Sequence, residues 1–305
     1  MSHPDIRGRK NHIRKSRADR IFDAVIYTAA GLMLLLALYP MYFILIASVS
    51  DPNLVARGDV LLFPRGLSLD GYSYLLSMEN LWKGYGNTIA YTFAGTAAML
   101  AVNIPAAYAL SRRDLAGRGF FTFFFLFPMF FGGGLIPTFI ILNNTFHLVD
   151  TFWVMVLPFS VISYYIVVAR TFFQTSLPAE LWDAAQIDGC GNLRFFFQVV
   201  LPLSKAIIAV IALWAAVGHW NSYFNAMIYL RTPERFPLQL VMRNILINNE
   251  MASTAMTGSA AAELNRKANL IKYCAIVVSS LPIMTMYPFV QKYFNKGVMI
   301  GALKG

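Results

Sequence analysis

Six stretches of the chain are long and apolar enough to form helices that cross a membrane. A helix needs about 20 residues to span roughly 30 Å of hydrocarbon. The stretches lie near residues 21–48, 86–110, 120–142, 152–174, 204–228 and 269–290. In the third stretch, Pro128 and Gly132–Gly134 are expected to bend or interrupt the helix. The pattern predicts an all-α membrane protein with six transmembrane helices.

The composition agrees with this pattern. Of the 305 residues, 57% are hydrophobic and only 13% are charged, whereas about a quarter of a typical soluble domain is charged. The segment Met1–Arg20 is long and basic, and no cleavage-site pattern of small residues ends the apolar run after it. We therefore expect a basic cytoplasmic tail over residues 1–20 and not a signal peptide.

The positions of the basic residues predict the orientation in the membrane. A net charge of +10 is compatible with nucleic-acid binding. With a cytoplasmic amino terminus, however, the inner segments hold sixteen of the 25 lysines and arginines. This excess is the positive-inside pattern, and it places both termini in the cytoplasm. Attraction of the tail to anionic membrane lipid follows from the same charges, and no nucleic-acid partner is expected.

The sequence offers no chemistry of its own for energy or catalysis. It contains no G-x-x-x-x-G-K-[ST] phosphate loop and no Gly–Lys dipeptide. Ionisable residues are nearly absent from the predicted spans, although transporters driven by ion gradients usually carry them there. His219 is the only histidine within a span, and we expect it to be packed or hydrogen-bonded. Cys190 and Cys274 lack metal-site spacing, so no metal is expected. Since the phosphate loop is missing and His219 has no carboxylate or Cys partner at helical spacing, no cofactor or enzymatic activity is expected in this chain.

The last outer loop, residues 229–268, predicts a helix that begins at Pro237. Its apolar residues recur at i, i+3, i+4, i+7 and i+8, which makes one face of a helix. These residues are Leu238, Val241, Met242, Ile245 and Leu246. We expect this helix on the outer rim, where it either caps the bundle or receives a partner from outside.

A short polar segment, ELWDAAQIDGCGNLRFFFQVVLP at residues 180–202, interrupts the apolar chain. Ser176 can cap a first helix, Gly189 falls where a helix ends in a left-handed residue, and Asn192 can cap a second helix. Each helix has about a dozen residues or fewer, too short to span, and the first is too acidic for lipid. The pattern predicts a cytoplasmic hairpin of two short helices over residues 176–202, between the fourth and fifth spans.

The hairpin resembles the EAA motif in permease subunits of bacterial binding-protein-dependent ABC importers. That motif reads E-A-A, three residues, G, nine residues and I-x-L-P. The chain supplies Asp183-Ala184-Ala185, Gly189 and Val199-x-Leu201-Pro202 at these spacings. Aspartate replaces the glutamate and valine replaces the isoleucine. Since a shorter acid alters one contact, the role of the family's glutamate is not carried over in detail.

The resemblance extends over most of the chain. Five segments are similar to permeases of carbohydrate importers: GGGLIPTFIIL, LPAELWDAAQIDG, WNSYFNAMIYL, FPLQLVMRNIL and VQKYFNKGVMIGALKG. The likeness is in particular to the maltose-type group, which imports oligosaccharides and polysaccharide fragments. The resemblance implies the six-helix fold of type I ABC importer permeases, with a single transmembrane domain over residues 21–290. A cytoplasmic carboxyl tail over residues 291–305 follows. In maltose-type relatives this tail reaches the ATPase interface, and Gly301–Gly305 is expected to do so here.

The resemblance also implies partners and a role for the hairpin. In the family the hairpin is the coupling helix, which docks in a groove of a cytoplasmic ATPase subunit. The residues expected to couple to the ATPase are Asp183, Ala184, Ala185, Asp188, Gly189, Leu201 and Pro202. The expected partners are a second homologous permease, two ATPase subunits that bind ATP and Mg²⁺, and an extracytoplasmic sugar-binding protein. The chain is thus expected to import a sugar, an oligosaccharide, across the bacterial cytoplasmic membrane.

The fifth span contains groups suited to a sugar path, in the segment WAAVGHWNSYFNA. A sugar needs hydrogen-bonding groups and aromatic faces, and the candidates are Trp220, Asn221 and Asn225. An alternative is that these residues pack against a neighbouring permease subunit. Two alternatives for the whole chain also stay open. One is an ABC permease for another solute, such as a peptide or polyamine, and the other is a membrane scaffold without a translocation path.

Overall fold

The computed structural model of the protein describes residues 16–255, 268 and 271–285. Helices joined by turns make up this part of the chain, and no strand occurs within it, as the predicted all-α class requires. Most of the predicted basic tail, the carboxyl tail over residues 291–305 and part of the outer loop lie outside the described residues. The chain divides into two compact units, Met1–Ser68 and Leu69–Gly305.

The first unit is built on one long helix, α1 (Arg17–Ser48), which begins at a capping box. The Ser16 hydroxyl accepts the backbone N–H of Asp19 at 3.2 Å, and the Asp19 carboxylate accepts that of Ser16 at 2.9 Å. Two N–H groups that the helix itself cannot satisfy thus find partners. A short helix, α2 (Pro52–Ala56), follows. Most large apolar side chains of α1 are exposed, which is typical of a surface that meets a membrane.

The second unit contains the remaining helices. They are α3 (Asp70–Leu76), α4 (Glu79–Ser111), α5 (Arg118–Phe130), α6 (Leu135–Ile140), α7 (Ser163–Ser176), α8 (Glu180–Ile187), α9 (Asn192–Phe195), α10 (Leu201–Leu203), α11 (Lys205–Trp220), α12 (Tyr223–Tyr229), α13 (Leu238–Ala255) and α14 (Ile271–Thr285). Shorter elements are the π-helical turns Ile141–Thr145 and Phe196–Val200 and the 3₁₀ turns Phe152–Met155 and Pro233–Arg235. The long helix α4 is the centre of this unit, since α7, α11 and α13 all pack against it.

The described helices include clear candidates for membrane spans. By length and composition, α1 and α4 can each cross a membrane unaided. Two bent helix pairs raise the total to four if each counts as one span. One pair is α5 with α6 and its π turn, bent by 112°, and the other is Asn192–Leu203 with α11, bent by 80°. These apolar helices agree with a membrane protein.

The predicted interruption of the third apolar stretch is confirmed. α5 ends at Phe130 and α6 begins at Leu135. Between them Gly134 has a φ of 81°, in the left-handed region that favours glycine. Pro128, in contrast, lies inside α5. The glycines rather than the proline therefore set the position of the bend.

The fourth and fifth predicted spans are not single continuous helices. Residues 156–162 separate a 3₁₀ turn from α7, and buried Asn103 of α4 holds this irregular stretch. Its amide donates to the Ser160 carbonyl at 2.7 Å, and its oxygen accepts the N–H of Ile162 at 2.9 Å. Irregular backbone at membrane depth is tolerated where protein groups satisfy it in this way. The fifth span is divided between α11 and α12.

The helix predicted from Pro237 is confirmed as α13. Leu238 and Met242 are buried, and Ile245 packs against the same apolar cluster. The N–H of Leu238 donates to the hydroxyl of Thr88 on α4 at 2.8 Å. Since the first N–H groups of a helix need a partner, α4 supplies the cap that the local sequence lacks.

An aspartate holds the connection between α12 and α13. The carboxylate of Asp150 accepts the N–H groups of Arg231 and Thr232, each at 3.0 Å, and the Thr232 hydroxyl at 2.5 Å. Arg235 lies 3.2 Å from the same carboxylate. Partial burial raises the pKa of Asp150, but these hydrogen bonds and the Arg235 charge outweigh it and lower the pKa to about 2. The carboxylate stays ionised and ties two loops together, at a residue with a strained φ of 59°.

A close contact between α4 and α11 depends on Gly95. A Cβ atom at this position would overlap the imidazole ring of His219. His219 is buried, and its Nε2 has no hydrogen-bond partner in the described part of the chain. The expectation that His219 is a packed residue is therefore confirmed.

We expect Gly95→Ala to destabilise the protein, because the added methyl group displaces the His219 ring. Overpacking of this kind costs about 1–3 kcal/mol. Gly86→Ala on the same helix is the matched control, since nothing lies within 4 Å of a Cβ there. Thermal unfolding of the purified protein in lipid measures both variants. The double variant Gly95→Ala/His219→Ala should recover part of the lost stability. Equal unfolding midpoints for Gly95→Ala and Gly86→Ala would contradict the packing argument.

Candidate functional site

The segment predicted as a hairpin folds as two short helical arms around a glycine corner. The first arm, α8, ends in a Schellman motif. The N–H of Gly189 donates to the Gln186 carbonyl at 3.0 Å, and that of Cys190 donates to the Ala185 carbonyl at 2.8 Å. Gly189 has a φ of 70°. The prediction of a left-handed glycine at this helix end is confirmed.

The second arm runs through α9, a π-helical turn and α10. Pro202 lies two residues after the π turn. Because proline has no N–H, the regular α-helical hydrogen-bond ladder cannot continue through it. The helix axis bends by 80° where this arm joins α11. Leu201 and Pro202 thus lie at the base of the hairpin, next to the bend, and π turns of this kind are frequent at functional sites.

Two of the predicted helix caps are wrong. Ser176 is the last residue of α7, which ends there because Leu177 precedes a proline and has extended backbone. The cap position of α8 is Ala179, which makes no side-chain hydrogen bond. Asn192 is the first residue of α9, and its cap position is Gly191. The hairpin therefore forms without the polar caps that its sequence suggested.

Aromatic contacts anchor the inner face of the hairpin. Trp182 of α8 meets Phe195 of α9 edge to face, with ring centroids 5.0 Å apart. Phe195 and Phe196 are buried in a cluster with residues of α4, α7 and α11. Tyr108 of α4 lies 5.2 Å from the Phe196 ring. These contacts join the two arms to each other and fix both to the long helices.

An arginine in the turn between α4 and α5 also holds the hairpin. The Arg112 guanidinium lies 4.0 Å from the centroid of the Trp182 ring, which is cation–π geometry. The guanidinium donates two hydrogen bonds to the Asp114 carboxylate, at 2.8 and 2.5 Å, and a third to the Tyr108 hydroxyl at 3.1 Å. The Arg112 hydrogen bond lowers the pKa of Asp114, and the Asp114 bond raises the pKa of Arg112. Both groups stay charged, and the guanidinium lies over the indole ring.

No signal in the sequence indicates this role of Arg112. A basic residue in a cytoplasmic turn satisfies the positive-inside pattern without any contact. Its partner, Trp182, lies far along the chain and belongs to a different segment. The tertiary structure alone brings the two together.

The outer face of the hairpin is exposed. The acidic residues Asp183 and Asp188 are exposed, as are Ala184 and Gly189. Two large aliphatic residues flank the corner. Ile187 is 88% exposed and Leu193 is 75% exposed. Exposed apolar groups bordered by polar ones mark an interaction surface. Of the other residues predicted for coupling, Ala185 and Leu201 are half-buried and Pro202 is exposed.

A cavity of about 1150 Å³ opens beside α8. The α4–α5 turn contributes Arg112 and Arg113 to its wall, and the hairpin contributes Glu180, Asp183 and Gln186. Opposite charges therefore face one space on this side of the molecule. The predicted coupling residue Asp183 lies at its edge.

The three residues predicted for a sugar path lie in different environments. Trp220 is buried within its own chain, where its indole N–H donates to the Ser279 carbonyl at 3.1 Å. Asn221 is exposed, and its amide donates back to the Val217 carbonyl at 2.9 Å. Asn225 is half-buried in α12. Of the three, Asn225 lines a cavity.

That cavity has a volume of about 310 Å³ and lies where α11 gives way to α12. Gly218, His219 and Ser222 line it together with Asn225, and apolar residues around the 156–162 stretch close it. The Ser222 hydroxyl donates to the His219 carbonyl at 2.6 Å. The sequence does not reveal Ser222 as a cavity residue, because helical periodicity cannot show the break between α11 and α12.

These features define a helical membrane protein with a polar, glycine-cornered hairpin anchored to its longest helices. Residues 94–300 match the family described as "Binding-protein-dependent transport system inner membrane component", and the chain belongs to that family. Protein LplC of Bacillus subtilis (strain 168) is 34% identical over 293 residues, covering 96% of this chain and 98% of its own length. The polygalacturonan/rhamnogalacturonan transport system permease protein YtcP of the same organism is 36% identical, covering 94% and 99%.

A solved structure has the same fold. It is the crystal structure of a bacterial ABC transporter involved in the import of the acidic polysaccharide alginate, and one of its chains matches with a TM-score of 0.82. The two chains are 34% identical, over 92% of this chain and 99% of that one. The resemblance to permeases of carbohydrate ABC importers, predicted from the sequence, is confirmed.

We expect Gly189→Val to disrupt the corner of the hairpin. A non-glycine residue in the left-handed conformation costs roughly 1–2 kcal/mol, and a β-branched side chain is least suited to it. Gly191→Val is the matched control, because Gly191 has a φ of −76° and open space around its Cβ position. Gly189→Asn should be tolerated, since asparagine visits this conformation. Hydrogen exchange of residues 180–195 measures all three, and equal exchange in the two valine variants would refute the argument.

We expect Arg112→Gln to loosen the hairpin, because it removes both the cation–π contact and the Asp114 ion pair. Arg113→Gln, at the exposed neighbour, is the control. A double-mutant cycle with Trp182→Leu should show a coupling of about 0.5–1 kcal/mol between Arg112 and Trp182. Unfolding in lipid gives the free energies. Strict additivity of the two substitutions would show that the contact does not stabilise the hairpin.

Proposed function

We propose that this chain is the membrane-spanning subunit of an ATP-driven importer and that, with a second homologous permease, it forms the translocation path for an oligosaccharide. Two cytoplasmic ATPase subunits bind ATP and Mg²⁺, and an extracytoplasmic sugar-binding protein delivers the sugar. The observation that carries this proposal is the hairpin, whose inner face is fixed to the helices while its outer face is exposed. Family membership and the lack of a phosphate loop in the sequence support it.

In this proposal the protein crosses the bacterial cytoplasmic membrane six times, with both termini in the cytoplasm. The spans are α1, α4, the bent pair α5–α6, α7, the pair α11–α12 and α14. The basic residues support this orientation. The contact between Arg112 and Trp182 supports it as well, because it requires the α4–α5 turn and the hairpin to lie on the same side of the membrane.

The exposed face of α8 docks on an ATPase subunit. The alanines Ala184 and Ala185 allow close approach of a partner surface, the exposed Ile187 adds apolar area, and the carboxylates of Asp183 and Asp188 fix the register. Gly189 sets the angle of the corner. Leu201 and Pro202 lie at the base and transmit movement into α11.

Movement of the ATPase subunits is passed to the helices through the anchored inner face. Trp182 contacts both Phe195 and Arg112, so a displacement of the hairpin cannot leave α4 unaffected. The bundle then changes between inward-facing and outward-facing arrangements. ATP drives this change only if it binds the two arrangements with different affinity.

The sugar passes the cavity lined by His219, Ser222 and Asn225. Hydroxyl and amide groups there suit a sugar, and Asn221 at the end of α11 lies close by in the sequence. Trp220 supports the path from inside the chain by fixing this end of α11 to α14. Sugar as the cargo is supported by the names of YtcP and of the alginate importer.

A crosslinker on Cys190 tests the docking. Cys190 is half-buried beside the corner, and the buried Cys274 is replaced by alanine to leave one thiol. In membranes that contain the whole importer, a short photo-crosslinker at Cys190 should capture an ATPase subunit, with a yield that changes when ATP and Mg²⁺ are added. A thiol at Thr145→Cys, in a Cys190→Ala background, is the control for the opposite side and should capture none. Capture of lipid alone at an accessible Cys190 would favour the scaffold alternative.

The cargo is tested separately from the docking. ATP-dependent uptake of a labelled oligosaccharide should occur in vesicles that contain the importer and its binding protein. Uptake of a peptide or polyamine, and of no sugar, would agree with an importer but contradict sugar as its substrate.

A further inference from the structure

Arg243 on α13 carries a charge that no acidic side chain of the described residues neutralises within ion-pair distance. The residue is half-buried. Withdrawing a charged group from water is unfavourable unless another group compensates it. The guanidinium therefore has spare capacity for an anionic ligand.

Arg243 lines a cavity of about 380 Å³ between α12, α13 and α14. Tyr223 of α12, Gln239 of α13 and Ser279 of α14 contribute the other polar groups, and the rest of the wall is apolar. Gln239 and Arg243 are four residues apart, so they share one face of α13. A mostly apolar cavity of this size with a few convergent polar groups has the form of a small-molecule site.

The polar groups of this cavity suit a carboxylated sugar. A guanidinium binds a carboxylate through two parallel N–H bonds. The amide of Gln239 can donate to one hydroxyl and accept from another. The exposed Tyr223 offers a flat apolar ring with a polar end. A uronic acid unit presents a carboxylate, hydroxyls and an apolar ring face together, whereas a neutral sugar leaves the arginine unpaired.

We propose that this cavity is a subsite for the carboxylate of a uronic acid unit, and that the cargo is an acidic oligosaccharide. The inference rests on the proposed function and names its substrate class. In the proposed topology α13 follows the outer end of α12, so the subsite lies on the side from which the sugar arrives. Arg243 binds the carboxylate, while Gln239 and Tyr223 position the ring.

The test compares two probes of equal length, a galacturonate trisaccharide and its neutral methyl ester. Binding of each to the assembled importer, without binding protein and in zwitterionic nanodiscs, is measured by calorimetric titration. Arg243→Gln should weaken binding of the acid about tenfold or more and leave the ester unchanged. Arg231→Gln, an exposed arginine in the nearby connection, is the matched control and should change neither. Arg243→Lys should retain part of the affinity, because it keeps the charge and loses the bidentate geometry.

The outcomes separate the subsite from the importer. Equal effects of Arg243→Gln on both probes, or no effect on either, would overturn the subsite, and the unfolding midpoint of each variant checks that it is folded. If Arg243→Gln changes the unfolding midpoint only in anionic nanodiscs without sugar, the arginine binds lipid. That result would also overturn the subsite. A wild-type importer that takes up only the ester would refute the acidic cargo and leave the proposed function standing. Failure of Cys190 to capture an ATPase would refute the importer itself.

Discussion

The arrangement of the hairpin depends on the Trp182 ring, which packs against Phe195 on one edge and under the Arg112 guanidinium on its face. Neither arm of the hairpin exceeds the length below which an isolated helix is only marginally stable in water, roughly 12–15 residues. Without these contacts α8 and α9 would not persist as helices, and their exposed residues would have no fixed geometry. With them, a segment of two short helices becomes a rigid extension of α4 and α7. Every functional role proposed for the hairpin requires that rigidity.

The same helix α4 satisfies the polar backbone of segments far from it in sequence. Asn103 holds the irregular stretch before α7, and Thr88 caps α13. In a membrane these groups cannot turn to water, so each must find a partner inside the protein. α4 therefore serves as the frame that permits broken helices, and the cavity near Asn225 lies at such a break. The places where regular helix stops are the places where polar side chains gather.

The two sides of the molecule carry different chemistry. On the side of the hairpin, charged and apolar groups are exposed or paired with each other, as suits a surface that meets another protein. On the side of α13, Arg243 lines a cavity, and no acidic side chain of the described residues lies within ion-pair distance of it. In the proposed importer the chain needs no reactive group of its own, since the ATPase subunits supply the energy and the fold links one side to the other.

The sequence by itself determined the helical membrane class, the glycine break before α6, the left-handed Gly189 and the apolar face of α13. All of these follow from composition or from residues within a few positions of one another, where backbone sterics and helical periodicity decide. Only the tertiary structure decided the caps of α8 and α9, the irregular stretch before α7, and the partners of Arg112. It alone decided the cavity around Arg243. These depend on contacts between segments distant along the chain, and packing and hydrogen bonding across such distances leave no periodic trace in the sequence.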